Sequence, residues 1–303
     1  MDQEAEQHNL VLNQTYDSLI ASYGFTLLTQ YAAVGTGSTP PAATQTGLVA
    51  EARRTNRDQN GSTGTFSYTR VANGVYEQTT VREFLETEVG NSNLTEWGFS
   101  PSNTAGGNLI CRELFRDGNG NPIVITPAAD QRLRLIYKTR VTLSPTVAVS
   151  ASIDISGIGV RTGKYVLTLS RGGTTSGSYP DLVVVELAIT GSLIDSGGGT
   201  STWYQSIYLH SVALPTTYTD TTENSSVLVY KWPGLQAYVS GSRQRKTNPV
   251  TFALNEANGT IRTIGLGPRW GGGFRFVLDS GQEFTKDSLY KLTINEFTVT
   301  WGP

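Results

Sequence analysis

The sequence predicts an all-β protein made of two β-sandwich-like domains of mainly antiparallel strands, with a short N-terminal helix. Three observations support this fold class. Only 16% of the 303 residues are charged and 33 are glycine, a composition that suits short strands and many turns. Apolar and polar residues alternate in short runs separated by clusters of Gly, Ser, Thr and Asn, as in sandwiches and barrels. Helical spacing of apolar residues is convincing in one stretch alone, residues 9–24.

The chain divides into three predicted parts. Residues 1–30 form an N-terminal arm with the short helix, residues 31–145 form a first β-sandwich domain, and residues 146–303 form a second. We place the division between the two domains at Pro145 because the pattern of strands and turns starts again after it.

The arm contains the predicted helix. Aromatic and aliphatic residues recur at helical spacing within residues 16–23. Asn13 or Thr15 is a candidate N-cap, and Gly24 is a candidate end of the helix. The Gly- and Pro-rich residues 35–43 then predict a loop.

The most regular strand pattern lies in residues 131–143. The odd-numbered positions from Leu133 to Leu143 are mostly apolar, whereas the even-numbered positions hold three arginines and a lysine. Since an extended strand points alternate side chains to opposite faces, one face is apolar and the other is cationic. A strand of this length needs partners to bury its apolar face, so we expect it to lie inside a sheet.

Other short runs predict the remaining strands. In the first domain these are residues 65–71, 75–89 and 109–115, with a hairpin turn signal at Asn73-Gly74. Residues 81–88 also suit a helix by propensity, and the sequence leaves both alternatives open. In the second domain the predicted strands are residues 147–155, 165–169, 182–190, 204–212, 227–232 and 250–254.

The final strand has an irregular pattern. Its apolar side chains change parity at Asn295-Glu296. One extra residue there, a β-bulge, would keep all of them on the same side of the strand. We therefore predict a bulge at this dipeptide.

Two pairs of segments suggest an internal repeat. Residues 93–99 (NLTEWGF) are similar to residues 260–266 (TIRTIGL), and residues 130–135 (DQRLRL) to residues 287–292 (DSLYKL). Two explanations stay open: duplication of one β unit, with a shorter internal loop in the second copy, or chance similarity between β-rich stretches.

No constellation of catalytic residues is recognisable, so we expect no enzymatic activity, no cofactor and no bound metal. The two histidines, His8 and His210, are far apart, and a buried role in a strand is favoured for His210. Zinc-ligand spacing, a nucleophile elbow and a phosphate-binding loop are all missing from the sequence. A glycan-degrading enzyme would need a pair of carboxylates in a cleft. Asp181, Glu186 and Asp195 are candidates for such a pair, but the sequence does not indicate which two of them would lie together.

Two further features have structural interpretations. Residues 117–121 (DGNGN) begin like a calcium loop, but Pro122 and Ala128 occupy the positions that require Gly and Glu, so we favour a hairpin turn. Because Cys111 is the only cysteine, an intrachain disulfide is excluded.

The net charge of −2 provides no overall field for nucleic acid or an anionic membrane, so neither partner is expected. Basic residues that either form solvated loops or dock on an acidic neighbouring subunit are Arg53, Arg54, Arg243, Arg245 and Lys246. Aromatic residues that either lie in a core or interface or stack on sugars are Trp203, Tyr204 and Trp232. The acidic N-terminus lacks the pattern of a signal peptide, which predicts synthesis in a cytoplasm.

Several motifs together resemble a known class of proteins. They are Gly35-Thr-Gly, residues 48–54 (LVAEARR), 93–98 (NLTEWG), 114–122 (LFRDGNGNP) and 130–137 (DQRLRLIY). This order resembles the virion structural proteins of tailed bacteriophages, of the kind found in tails, baseplates or collars. The resemblance covers residues 10–145 and the ending at 292–301.

The resemblance implies a β-rich structural subunit that assembles as symmetric copies in the virion, after synthesis in the bacterial host cytoplasm. Its partners would be copies of itself and other virion proteins. The alternative is a virion protein that binds a receptor or a host surface glycan. The resemblance carries over no catalytic residue.

Overall fold

The computed structural model describes residues 9–19, 24–168, 206–218, 227–267 and 273–302, and they form an all-β fold. The chain divides into two compact units. The first unit contains Met1–Thr69, Glu77–Arg140 and Gly302, and the second contains Arg70–Tyr76, Val141–Trp301 and Pro303.

Short strands dominate the described residues, and three helices of four residues each accompany them. The helices are α1 (Thr15–Ser18), α2 (Gly24–Leu27) and α3 (Glu86–Val89). The strands up to residue 142 are β1 (Leu10–Val11), β2 (Tyr31–Gly35), β3 (Glu51–Thr55), β4 (Ser67–Ala72), β5 (Val75–Phe84), β6 (Glu96–Ser100), β7 (Cys111–Leu114) and β8 (Leu133–Thr142). The later strands are β9 (Val149–Ile155), β10 (Gly159–Thr168), β11 (Ser206–His210), β12 (Val227–Lys231), β13 (Gln244–Lys246), β14 (Val250–Phe252), β15 (Gly259–Ile261), β16 (Thr263–Gly267), β17 (Gly273–Leu278), β18 (Phe284–Lys286), β19 (Leu292–Ile294) and β20 (Thr298–Thr300).

The first unit has a sandwich-like core. Its five-stranded sheet has the order β1-β7-β6-β2-β3, and a three-stranded sheet has the order β4-β5-β8. The Tyr137 ring of β8 stacks on the Phe99 ring of β6 with centroids 4.6 Å apart, and Trp97 meets Phe99 edge-on at 6.2 Å. These aromatic rings fill the space between the two sheets.

Strand β8 confirms the alternation predicted for residues 131–143. Its odd-numbered side chains are buried or half-buried, and its even-numbered side chains are exposed. The expectation that it lies inside a sheet was wrong, because β8 is an edge strand of the sheet β4-β5-β8 in the described part of the chain. The pattern of one strand specifies which face is buried, but not how many neighbours the strand has.

The N-terminal helix was predicted within residues 9–24, and α1 begins there at Thr15. Its N-cap is Gln14, which lies between the two predicted caps Asn13 and Thr15. Gly24, the predicted end of the helix, is the first described residue of α2, and residues 20–23 lie outside the described part of the chain. Before α1, Leu10 and Val11 form a strand that pairs with Arg112 and Cys111 of β7, a contact that satisfies their backbone groups and that local propensity does not reveal.

The alternatives left open for residues 81–88 are also resolved. Strand β5 continues to Phe84, and the short helix α3 begins at Glu86. The side chain of Glu88 accepts a hydrogen bond from the Leu85 backbone N–H at 2.7 Å, which satisfies a free donor at the start of this helix.

The second unit is built on a six-stranded sheet with the order β12-β11-β16-β17-β10-β9, in which every pairing is antiparallel. Three two-stranded ladders, β13-β20, β14-β19 and β15-β18, accompany it. The strand predicted at residues 182–190 lies outside the described residues, and the one predicted at 204–212 is described from Ser206 onward.

The final strand is interrupted at the predicted place, but not by a single extra residue. Strand β19 pairs with β14, β20 pairs with β13, and residues 295–297 belong to neither ladder. The register is the same on both sides, because Ile294 faces Val250 and Thr298 faces Lys246. Residues 247–249 and 295–297 therefore leave the ladder together. Thr247 explains this, because its N–H donates to the Phe297 carbonyl at 3.0 Å and its Oγ1 accepts from the Phe297 N–H at 2.9 Å.

The two units repeat the same strand order. Strands β3-β2-β6-β7 of the first unit correspond to β12-β11-β16-β17 of the second. Gly98 lies opposite Ala33 and Arg112, while Gly265 lies opposite Tyr208 and Arg275. The alignment of the two glycines proposed from sequence therefore matches the register of three strands in each unit.

Two irregularities of the sheets recur at equivalent positions. The ladder shifts between Val34 and Gly35 in the first unit, and between Leu209 and His210 in the second. Four residues before each aligned glycine, Leu94 bridges Ile125 and Ile261 bridges Phe284. These matches in bulges and bridges favour duplication of one β unit over chance similarity.

Candidate interaction surfaces

A buried ion pair fixes the long loop that follows β2. Glu96 of β6 and Arg112 of β7 have fully buried side chains and are 2.7 Å apart. The Glu96 carboxylate also accepts hydrogen bonds from the backbone N–H groups of Gly37, Val49 and Ala50 at 2.8–3.1 Å. Because three loop amides share this carboxylate, residues 36–50 are held against the sheet although their composition predicts a flexible loop.

The second unit fixes the corresponding loop with different chemistry. Thr263 occupies the position of Glu96; its Oγ1 donates to the Val212 carbonyl at 2.9 Å and accepts from the Leu214 N–H at 3.1 Å. Arg275, the counterpart of Arg112, donates to the Pro215 carbonyl at 3.1 Å. In both units two buried polar side chains on neighbouring strands thus bind the chain that follows β2 or β11, in the second unit at residues 212–215.

Sequence reasoning missed these buried charges. Arg82 is a further example: its guanidinium donates to the carbonyls of Gln30, Thr65 and Val81 at 2.6–2.8 Å, and burial lowers its pKa to about 10. In the sequence, such a buried charge can be recognised as a charged residue on the inward-facing side of an apolar strand, as at Glu96 and Arg112. Such a charge requires a buried partner, but the sequence does not name it.

The cationic face of β8 is largely neutralised by the neighbouring strand. Glu83 binds Arg132 and Arg134 at 3.0 and 2.9 Å, and Glu77 binds Arg140 at 3.0 Å. This face therefore offers alternating charges rather than a field of one sign, which disfavours it as a site for an acidic partner.

The basic residues predicted as an interface have different surroundings within their own units. Arg54 is turned inward, with its side chain 7% exposed, and it binds Glu51 at 2.7 Å. Arg53 is exposed and donates to the carbonyl of the preceding Ala52. Within β13, Arg245 is half-buried, and Lys246 pairs with Glu296 at 2.9 Å.

Arg243 lies just before β13 in a left-handed backbone conformation with φ at 51°. Its carbonyl accepts the Trp301 N–H at 3.1 Å, and the Trp301 ring stacks on Tyr238 at 5.8 Å. Arg243 therefore borders an aromatic pair within the second unit.

Of the aromatic residues predicted to stack on sugars, only Trp232 lies within the described residues, since Trp203 and Tyr204 fall outside them. Trp232 follows β12 and is 52% exposed, and Tyr230 on the same strand is 41% exposed. The candidate carboxylates Asp181, Glu186 and Asp195 also lie outside the described residues.

The remaining candidates have structural roles. The Asp117 carboxylate accepts the N–H groups of Asn119 and Asn121 at 2.9 Å, which confirms a turn at this loop and lowers the pKa of Asp117. His210 is fully buried and lies edge-on to Tyr208 at 4.9 Å. Cys111 is fully buried, and burial raises the pKa of its thiol to about 12. Among the described residues, no group of three or more His, Cys, Asp or Glu side chains is arranged to hold a metal ion.

Large apolar side chains are exposed on the second unit. The most exposed are Val147 at 77%, Leu289 at 74%, Val239 at 69% and Tyr290 at 68%. The edge strand β9 adds Val149, which is 52% exposed. Exposed apolar surface on sheet edges and turns is typical of protein–protein contacts.

The described helices contain none that is long and apolar enough to span a membrane. No family model matches the chain, and no match is found among curated proteins or solved structures.

Proposed function

We propose that this chain is a structural subunit of a tailed-phage virion, which assembles as symmetric copies in the tail, baseplate or collar. The sequence motifs resemble those of such virion proteins. The observation that carries the proposal is the exposure of large apolar side chains on the second unit. Val147, Leu289 and Tyr290 are largely exposed in the single chain. Contact with other copies or other virion proteins would remove this apolar surface from water.

Buried polar contacts to loops in both units also support a structural role. The Glu96–Arg112 pair binds residues of the loop that follows β2, and Thr263 and Arg275 bind residues 212–215 after β11. A subunit that is repeated around an axis needs surfaces of fixed shape, because each small error in orientation accumulates around a ring.

Two measurements test the proposal. Sedimentation velocity of the purified chain should show discrete oligomers that grow with concentration. Mass spectrometry of purified virions and their sub-particles should find the chain in the tail, baseplate or collar fraction. A chain that stays monomeric at high concentration and is absent from the particles would contradict the proposal.

A second candidate function is recognition of a receptor or a host surface glycan. It is favoured by the exposed Trp232 and Tyr230, because aromatic rings exposed near one another provide stacking surfaces for sugars. A glycan array with the native chain and the Trp232→Ala variant tests this candidate. Binding that the substitution abolishes would support it, and an array with no binding at all would remove it.

A further inference from the structure

We infer that strand β9 pairs with β9 of a second copy of this chain, antiparallel and about a two-fold axis at Ser152. This inference rests on the proposed function, because it names the contact through which copies would join. Strand β9 lies at a sheet edge, that edge is unprotected in the described residues, and the strand is complementary to itself.

Strand β9 forms one edge of the six-stranded sheet. It pairs with β10 in seven consecutive residue pairs, from Val149 opposite Tyr165 to Ile155 opposite Gly159, with no shift of register. In the described part of the chain, its other side has no strand beside it. An edge strand of this kind presents a row of backbone donors and acceptors to any strand that can approach.

The hairpin of β9 and β10 is held in place before any partner arrives. Thr162 Oγ1 donates to the Asp279 carboxylate at 2.9 Å, and the Asp279 N–H donates to the Thr162 carbonyl at 3.1 Å. These bonds tie β10 to the turn that follows β17. The exposed edge therefore has a fixed conformation, which lowers the entropic cost of pairing.

The edges of the other large sheets in the described residues carry features that discourage pairing. Strand β1 is only two residues long, and the ladders beside β3 and β12 contain shifts of register. Strand β8 carries a row of Arg and Lys side chains that stay exposed although Glu77 and Glu83 pair with them. Short edges, bulges and rows of Lys or Arg all protect a sheet edge, whereas β9 has none of them and contains no proline.

The sequence of β9 complements itself when two copies run antiparallel about Ser152. On one face, Val149 would lie opposite Ile155 of the second copy, and Ala151 opposite Ile153. On the other face, Ser150 would lie opposite Asp154 and Ser152 opposite itself. Apolar residues then meet apolar residues, and serine hydroxyls meet carboxylates.

This register also separates the only charged residues of the strand. The two Asp154 carboxylates are four residues apart along the ladder, which is about 13 Å. A register centred between two residues would instead place apolar side chains opposite polar ones, because opposite residues share a face. The register about Ser152 uses all seven residues of the strand and satisfies both conditions.

A cysteine substitution at the axis tests the pairing. Two opposite residues of an antiparallel ladder have Cα atoms about 4.5–5.5 Å apart, which a disulfide can bridge. The Ser152→Cys variant should therefore form a disulfide-linked dimer under mild oxidation. Asp154→Cys is the matched control, since it lies on the same exposed face but about 13 Å from its symmetry mate. The buried Cys111 stays unreactive in both variants.

We expect at least ten times more linked dimer from Ser152→Cys than from Asp154→Cys at equal concentration. A Ser152→Lys variant, which would place two ammonium groups opposite each other, should lose self-association in sedimentation velocity. Thr142→Lys, on an exposed position of β8, should retain it. Retained folding of each variant is checked by circular dichroism.

Equal cross-linking of the two cysteine variants, or no cross-linking of Ser152→Cys, would overturn the inference. So would a head-to-tail ladder between β9 of one copy and β12 of the next, which gives no disulfide at Ser152. If the native chain self-associates or is found in virions while Ser152→Cys does not cross-link, the β9 pairing fails and the proposed function stands. A monomeric chain that is absent from particles overturns both.

Discussion

The substitution Glu96→Gln tests the buried pair that holds residues 36–50. Both carboxylate oxygens of Glu96 face donors: Oε1 accepts from Gly37 and Ala50, and Oε2 accepts from Val49 and Arg112. The amide of glutamine has one oxygen and one NH₂ group. Whichever way it is oriented, its NH₂ group therefore faces two donors and two hydrogen bonds are lost.

The expected cost follows from this geometry. The substitution leaves the fully buried Arg112 without an opposite charge, and breaking a buried ion pair by removing one partner costs about 3–5 kcal/mol. That is a large part of the 5–15 kcal/mol that stabilises an ordinary domain. For a unit of this size it corresponds to a decrease in melting temperature of about 6–20 °C.

Guanidinium denaturation together with hydrogen exchange measures both consequences. The free energy of unfolding of the first unit should fall, and the amides of Gly37, Val49 and Ala50 should exchange faster. The control is Glu296→Gln, because Glu296 pairs with Lys246 at the surface with 38% of its side chain exposed. An exposed pair contributes about 0–1 kcal/mol. The account of the loop would be refuted if Glu96→Gln cost no more than the control and left exchange in residues 36–50 unchanged.

Three further predictions concern other parts of the two units. A maleimide dye at pH 8 should label Cys111 roughly a thousand times more slowly in the folded than in the unfolded chain, because burial raises the thiol pKa to about 12; equal rates would contradict its burial. Gly265→Ala should destabilise the second unit by about 1–3 kcal/mol in thermal unfolding, because a Cβ there meets the Tyr208 ring. Gly107→Ala, with no atom near its added Cβ, should change stability by less than about 0.5 kcal/mol, and similar effects of the two would count against this packing. The hydrogen bond from Lys231 lowers the pKa of Glu256 from its ordinary value of 4.5. The ionised carboxylate therefore stabilises the folded chain above pH 4.5, and this stabilisation is lost as the pH falls through the lower pKa of the folded state. Urea denaturation from pH 7 to pH 3 should therefore show a smaller loss of stability for Glu256→Gln than for the native chain, and identical profiles would contradict this role.

The sequence predicts well those features that depend on a local period. The alternation in β8 identified its buried face, because side-chain direction in a strand depends only on position. The aligned Gly98 and Gly265 were visible because close contacts exclude a side chain there: a Cβ would meet the Cys111 carbonyl at Gly98 and the Tyr208 ring at Gly265.

Features that depend on distant contacts were not predictable in the same way. The helix that begins at Thr15 was predicted from its spacing, but the pairing of Leu10 and Val11 with β7, about a hundred residues further along the chain, was not. The partner of Glu96 is equally non-local. The break in the final strand was located correctly from its change of parity. Its cause is Thr247, which lies on the neighbouring segment and is not part of that pattern.

The most direct test of the account is a symmetry-resolved cryo-EM map of the assembly that the purified chain forms. The account predicts several copies around an axis, with Val147, Leu289 and Tyr290 covered at contacts with other chains and two β9 strands antiparallel at Ser152. Particles that contain a single copy, or an assembly that leaves all of these side chains in solvent, would contradict it.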